Sequence, residues 1–308
     1  MGLLGKRWRL FKKAVLQVAY LNDAVNDAIR YQIVKQHLIN SVLNSEAVGV
    51  SPEKIINEEV VVSLTTHSTR IYTVFQTIET LLLQSVKPNR VVLYLNEDEF
   101  SFENLPTSLQ RQCKRGLEIR FVKDLGVYTK LLPALQEFPD SVIITVDDDY
   151  MYPFDLLERL LSGHKSYPEA VVCFNSRILK LSDRKSLAPY SSFEMCFPKQ
   201  DKLSISLMAE GFGGVLYPPQ SMSKEVFDLD MIRALSPHAD DLWFKAMQLL
   251  KDTPVLQLAR NHTWFHTITS EMTAQDIALT HINIDKNGND IQLKAIFDHY
   301  DLYHMITQ

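Results

Sequence analysis

The chain has 308 residues, 46% hydrophobic and 22% charged, enough for one large α/β domain with additions or two small domains, and ordinary for a soluble globular protein. Its formal charge of −5 argues against a nucleic-acid binder that works by bulk electrostatics. Cys113, Cys173 and Cys196 are few and scattered, suggesting neither a disulfide framework nor a zinc site and fitting a reducing compartment.

The first residues carry Lys6, Arg7, Arg9, Lys12 and Lys13 among Leu3, Leu4, Trp8, Leu10 and Phe11, with no acid before Asp23. A basic amphipathic helix of this kind lies on anionic lipid, so residues 1–20 are expected to touch the membrane peripherally; packing on its own domain or a partner subunit is the equal alternative. From Trp8 to Leu43 there is no Pro or Gly, which predicts one long helix or a helix pair able to support a homodimer. No run approaches the roughly 18 apolar residues of a bilayer span, and Ala14–Tyr20 is too short for a secretory signal. The expected location is cytoplasmic, peripheral on the inner face of the cell membrane. Pro52 and its polar surroundings mark a boundary, giving a helical extension over 1–58 and a main domain over 59–308.

Strands and helices then alternate. Val60–Leu64 reads as a strand, Tyr72–Gln84 as a helix, Arg90–Leu95 as a strand, and the stretch near Leu105–Arg115 as a helix. Leu117–Val122, Leu131–Glu137 and Val142–Val146 continue as strand, helix, strand. This order predicts an α/β fold with a mostly parallel sheet covered on both faces. Beyond Tyr152 the pattern loosens: Leu156–Leu161 is helical, Ala170–Phe174 and Val215–Tyr217 are strands, and Lys180–Lys202 is irregular. Helices return near Glu225–Leu235, Ala239–Leu250 and Asp290–Met305.

The strongest chemical signal is Asp147-Asp148-Asp149, placed directly after the β-branched run Val142–Val146. A buried strand ending in clustered carboxylates delivers negative charge to the sheet edge where α/β folds bind ligands. Capping a helix needs one aspartate and not three. Crowded carboxylates stay ionised only beside a cation, and hard oxygen ligands suit Mg²⁺ or Mn²⁺. Gly211-Phe212-Gly213-Gly214 concentrates three of the chain's ten glycines and predicts a tight turn or a close approach of backbone to ligand. A second acidic element follows at His238-Ala239-Asp240-Asp241-Leu242-Trp243.

Together these elements resemble the GT-A fold of nucleotide-sugar glycosyltransferases, in particular family-two-type bacterial enzymes of polysaccharide and lipopolysaccharide assembly. The resemblance covers residues from Glu59 onward. It implies a nucleotide-sugar donor, UDP-linked by preference, a glycan or lipid-linked glycan acceptor, and inversion at the transferred sugar. It places Thr65, Thr66, Arg70, Asp124, Lys130, Asp147, Asp148, Gly213 and Gly214 at the donor, and the metal on Asp149, Asp147 and His262. Asp148 stays a candidate because three aspartates leave the motif's register open. Asp241 or Asp240 supplies the base, with Asp240 expected to cap the following helix. Trp243 and Trp264 are open to core packing or sugar stacking, and Asn289 and Asp290 to helix capping or a polar feature of such enzymes.

Other classes fit less well. A haloacid-dehalogenase-type phosphatase places a small or hydroxyl residue soon after its aspartates, where this chain has Tyr150-Met151-Tyr152-Pro153. A nucleotidyltransferase needs a glycine-rich basic first loop, and Ser63-Leu64-Thr65-Thr66-His67 has no glycine. The remaining alternatives are a scaffold that binds a sugar nucleotide without turnover, or another metal-dependent phosphate-transfer enzyme.

Overall fold

The computed structural model describes residues 25–26, 28–259, 266–267 and 288–306. Residues 1–20, His262 and Trp264 lie outside them. The chain divides into two units, residues 1–45 and 46–308. In the first, residues 28–44 form a helix, α1, within the Pro- and Gly-free run. The larger unit begins ahead of the boundary drawn at residue 58. Arg115 Nε donates to Ala47 O at 2.8 Å, and the Gly49 and Ser51 N–H groups donate to Arg115 O and Pro88 O. Arg115 is itself buried and paired with Glu79 at 2.7 Å. The stretch from residue 46 to 58, assigned above to the helical extension, has backbone groups satisfied by the larger unit and is grouped with it. No helix among the described residues is long and apolar enough to cross a membrane.

The strands are β1 (Val60–Thr65), β2 (Arg90–Asn96), β3 (Leu117–Val122), β4 (Val142–Thr145), β5 (Tyr150–Met151), β6 (Val171–Cys173) and β7 (Ser176–Ile178). They continue as β8 (Leu181–Asp183), β9 (Ser186–Leu187), β10 (Lys202–Ser204), β11 (Leu207–Ala209), β12 (Val215–Tyr217), β13 (Val255–Gln257) and β14 (His266–Thr267). Eight of them form the central sheet in the order β10-β13-β6-β12-β4-β1-β2-β3. The block β4-β1-β2-β3 is parallel, as is β13-β6, while β12 runs antiparallel between β4 and β6. The fold is α/β with a mostly parallel, Rossmann-like sheet, as the alternating pattern predicts.

Helices cover both faces because the strands are apolar on both. Val61, Val92, Ile143 and Val215 point to one cluster, shared with α4 (Leu132–Glu137), α6 (Leu229–Leu235), α7 (Asp240–Leu249) and α8 (Gly288–Tyr300). Their neighbours Val62, Val91, Ile144 and Leu216 point to the other, with α2 (Phe75–Leu82), α3 (Thr107–Cys113) and α5 (Leu156–Ser166). This is the period-two alternation of a strand with no solvent face. The segment read as irregular over 180–202 holds the three-residue strand β8, the two-residue strand β9 and a 3₁₀ turn at Tyr190–Ser192, too short for periodicity to register.

The order of the parallel block decides where a ligand can enter. The chain steps outward from β1 to β2 and β3, then returns across β1 to form β4. Adjacent connections therefore leave in opposite directions at the β1/β4 boundary, opening a crevice beyond their carboxyl ends. Thr65 ends β1, and Asp147–Asp149 follow β4 there.

Of two buried side chains on α7, the first settles an open point. Trp243 is fully buried and its indole N–H donates to Val226 O at 3.2 Å, so it packs the core and does not stack on a sugar. Lys245, 1% exposed, has no hydrogen-bond partner for its Nζ. Burial pushes its ammonium down to about 7 against a weak opposing effect of Cys173. Between about pH 7 and the ordinary lysine value the unfolded chain holds a proton that the folded chain does not, so stability rises with pH across that window. The slope is on the order of 1 kcal/mol per pH unit. Lys245→Met, of similar shape and without the charge, is expected to raise the melting temperature at pH 7 and flatten that slope. Unchanged melting between pH 7 and 10 in both proteins would contradict it.

Candidate active site

The crevice at the β1/β4 boundary is a cleft of about 420 Å³. The first half of the sheet contributes Thr65, His67, Arg70, Gly126, Val127 and Lys130; the centre gives Val146 and Asp147–Asp149. The far wall is built from Tyr190, Gly211, Phe212, the turn His238–Leu242 and Asn289. Five aspartates and two permanent cations thus face one space, an excess of negative charge that calls for a cation or for protons.

The three consecutive aspartates have three different environments. Asp148 is buried; Thr66 Oγ1 donates to its Oδ2 at 2.5 Å, Arg70 Nη1 to its Oδ1 at 2.6 Å, and Thr77 Oγ1 to its backbone oxygen at 2.8 Å. It ties β4 to the segment after β1, so Asp148 and Thr66 secure the frame of the cleft. Asp147 is half-buried. Lys130 Nζ donates to its Oδ1 at 2.9 Å, and its own N–H donates to Tyr152 Oη at 2.9 Å. Asp149 has a side chain 22% exposed and only a loose contact with Arg70, 3.5 Å from Nη2. Burial, followed by the charges of Asp147 and Asp148, pushes its carboxyl up to about 6, with Arg70 opposing.

Lys130 joins this group to the second acidic element. Its Nζ also lies 3.2 Å from Asp240 Oδ2, an ion pair without hydrogen-bond geometry. Burial works against the ammonium, but Asp147, Asp240 and Asp241 hold it well above the ordinary lysine range. Its position follows from a 3₁₀ turn, Gly126–Lys130, anchored where Ser63 Oγ donates to Lys130 O at 2.5 Å.

Asp240 does not cap α7. The helix begins at Asp240 itself, Ala239 occupies the cap position, and both aspartates stand in the first turn. There the unpaired N–H groups of the helix favour negative charge. Asp241 accepts from Gly211 N–H, 3.2 Å from each carboxylate oxygen. Burial first, then Asp240, raise its carboxyl well above the ordinary range, against Lys130 and the Gly211 N–H. Burial likewise raises Asp240, with Lys130 opposing.

Gly211 is the meeting point. A Cβ there would stand 2.9 Å from Lys130 Nζ, 3.4 Å from Asp241 Oδ1 and 3.8 Å from Asp147 Oδ1. The end of a lysine yields easily, so Gly211→Ala is expected to fold and melt as the wild type while displacing the ion-pair centre. Turnover should fall at least roughly ten-fold, since an ångström of misplacement costs about that or more. Equal turnover would show that the centre is not used.

Asp124, Gly213 and Gly214, expected at the donor, do not line the cleft. Asp124 is exposed and its Oδ1 accepts from Gly126 N–H at 2.8 Å, an Asx-type turn outside the cleft lining. Gly213 and Gly214 adopt φ of +97° and +92° and turn the chain into β12; Gly211 and Phe212 line the cleft instead. Thr65 lines it, with its hydroxyl donating to Tyr94 O at 2.8 Å. His67 and Tyr190 were not singled out by sequence reading. Tyr190 had no signal in an irregular segment, and its N–H reaches Asp290 Oδ1 at 2.7 Å, a hundred residues on.

No protein-family model matches the chain, and no curated protein matches it. Among solved structures, a mannosyltransferase from Pyrobaculum calidifontis in complex with GDP-Man and Mn²⁺ is 16% identical, with a TM-score of 0.32 over 48% of this chain and 44% of that one. The chain thus spans less than half the length of that enzyme. A UDP-glucose pyrophosphorylase from Acinetobacter baumanii is 11% identical, with a TM-score of 0.42 over 79% of this chain and 99% of that one. A CMP:2-keto-3-deoxy-manno-octonic acid synthetase complexed with CTP is 11% identical, with a TM-score of 0.39 over 67% and 91%.

Proposed function

We propose that the protein is a GT-A-type glycosyltransferase that moves a sugar from a nucleotide diphosphate, UDP by preference, to a hydroxyl of a glycan or lipid-linked glycan, with inversion. One observation carries this reading: two carboxylate groups from distant parts of the chain meet around Lys130 and Gly211, at the switch point of a parallel sheet. Such a cleft has room for two separate tasks, departure of a phosphate and activation of a hydroxyl.

Among the described residues no group of three His, Cys, Asp or Glu side chains is arranged to hold a metal. The donor set nevertheless fits Mg²⁺ or Mn²⁺, which are commonly held by one or two carboxylates and take other ligands from water and substrate phosphate. Asp149, the least engaged carboxylate, and Asp147 would hold it. When bound, the cation supplies charge stabilisation for the departing diphosphate. Lys130, released from Asp147, can add its ammonium to the same oxygens. Arg70 keeps Asp148 in place and faces Asp149. On the far wall, Asp241 takes the proton of the acceptor hydroxyl, because Asp240 is occupied by Lys130 while Asp241 is held by a backbone N–H. A carboxyl raised by burial is the better proton acceptor.

Calorimetric titration with UDP, GDP and CMP, each with and without Mn²⁺, tests the reading. Binding of one nucleotide that depends on the metal is the expected result. Absence of any metal-dependent binding would overturn it.

A further inference from the structure

The far wall holds residues with no task in that scheme, Asn289 among them. Asn289 stands on the first turn of α8 and lines the same cleft as Asp240 and Asp241. It is 7% exposed, yet its Oδ1 has no hydrogen-bond partner. Buried amide oxygens in native structures are nearly always paired, so this one, on a residue that lines the cleft, is short of a partner that a ligand or a water can supply.

The helix turn around it is held on two sides. Asp290 Oδ1 accepts from Tyr190 N–H at 2.7 Å, and Gln292 Oε1 accepts from His238 N–H at 3.0 Å. Asn289 is therefore fixed between the loop that carries Tyr190 and the turn that leads into Asp240 and Asp241. Tyr190 is placed in turn by Arg177, whose guanidinium lies 5.3 Å from the ring centre and pairs with Glu210 at 2.6 Å. The wall thus offers a neutral amide and an aromatic residue, both lining the cleft.

The chemistry of the ligand follows from this setting. Asp240 and Asp241 disfavour a second anion on this wall. A carboxamide carries acceptor and donor ends and matches a hydroxyl, which is also both. An aromatic face suits the apolar side of a pyranose ring. We infer that Asn289 binds a ring hydroxyl of a sugar, with Tyr190 beside it, either the transferred sugar of the donor or the sugar of the acceptor. The inference rests on the sugar-transfer reading of the cleft.

The test compares wild type with Asn289→Ala and Asn289→Leu, the second close to the side chain's size while removing both its acceptor oxygen and its N–H donors. UDP, GDP, UDP-glucose, UDP-N-acetylglucosamine and GDP-mannose are titrated by calorimetry with Mn²⁺. Transfer is then followed to methyl glycosides of glucose, galactose and mannose. If the donor sugar is the ligand, both variants bind the bare nucleotide as wild type does and bind the matching nucleotide sugar roughly 10- to 100-fold more weakly. If the acceptor is the ligand, nucleotide-sugar affinity is unchanged and the glycoside KM rises by a similar factor. Should the alanine variant fail to fold, the leucine variant decides alone. Wild-type behaviour of a folded variant in both arms overturns the assignment while leaving the sugar-transfer reading standing. Failure of wild type to bind any nucleotide removes that reading, and this one with it.

Discussion

Asp149→Ala is expected to abolish metal-dependent binding of the nucleotide diphosphate, with a loss on the order of 100-fold or more in a calorimetric titration with Mn²⁺. Even residues that only support metal ligands cost about 10- to 100-fold, so removal of the ligand itself should cost no less. The neighbours cannot compensate. Asp148 has both carboxylate oxygens bonded within the protein, and Asp147 is shared with Lys130. A pH dependence follows as well. Without metal the Asp149 carboxyl sits at about 6, because burial and two adjacent carboxylates disfavour its charge. The cation must compete with that proton, so its affinity weakens as pH falls through about 6 and levels off above it. Retained metal-dependent binding in Asp149→Ala, or a pH-independent affinity in wild type between pH 5 and 8, would refute the ligand role.

Asp241→Asn should leave nucleotide binding within about two-fold of wild type while lowering transfer by roughly 10²- to 10⁴-fold, the range typical for loss of general-base assistance. Asparagine keeps the shape and can still meet the Gly211 loop, but it cannot take a proton. Melting temperature should hold or rise, because one charge leaves a crowded acidic wall. In wild type, burial and Asp240 raise the Asp241 carboxyl well above the ordinary range. The acid limb of kcat/KM should therefore lie above the pH of a free aspartate and vanish from the residual activity of the variant. Loss of nucleotide binding in Asp241→Asn would place this residue in the donor site and sink its role as base. Unchanged transfer would do the same.

Much of the framework was readable from residues alone. The β-branched runs ending at Thr65 and before Asp147 are too short and too apolar for anything but buried strands, and their alternation with helical stretches requires parallel pairing. Both acidic clusters and the glycine turn stood out because those residue types are costly unless used. What the local pattern could not supply is distance. Nothing in the triple aspartate says which carboxylate is bonded away; that depends on Thr66, Arg70 and Thr77, which approach Asp148 only when β1 lies beside β4. Asp124 followed the rule for a strand-end ligand, yet its own turn consumed it.

The sequence by itself determined the element types, the class of fold and the places where charge collects, because periodicity and burial cost act over a few neighbouring residues. Only the tertiary structure decided that Lys130 bridges Asp147 and Asp240, that Gly211 leaves room for this, and that Asn289 reaches the same cleft. Those are contacts between segments 17 to 110 residues apart whose geometry is set by sheet order and packing, and side-chain chemistry reads out only once that geometry exists.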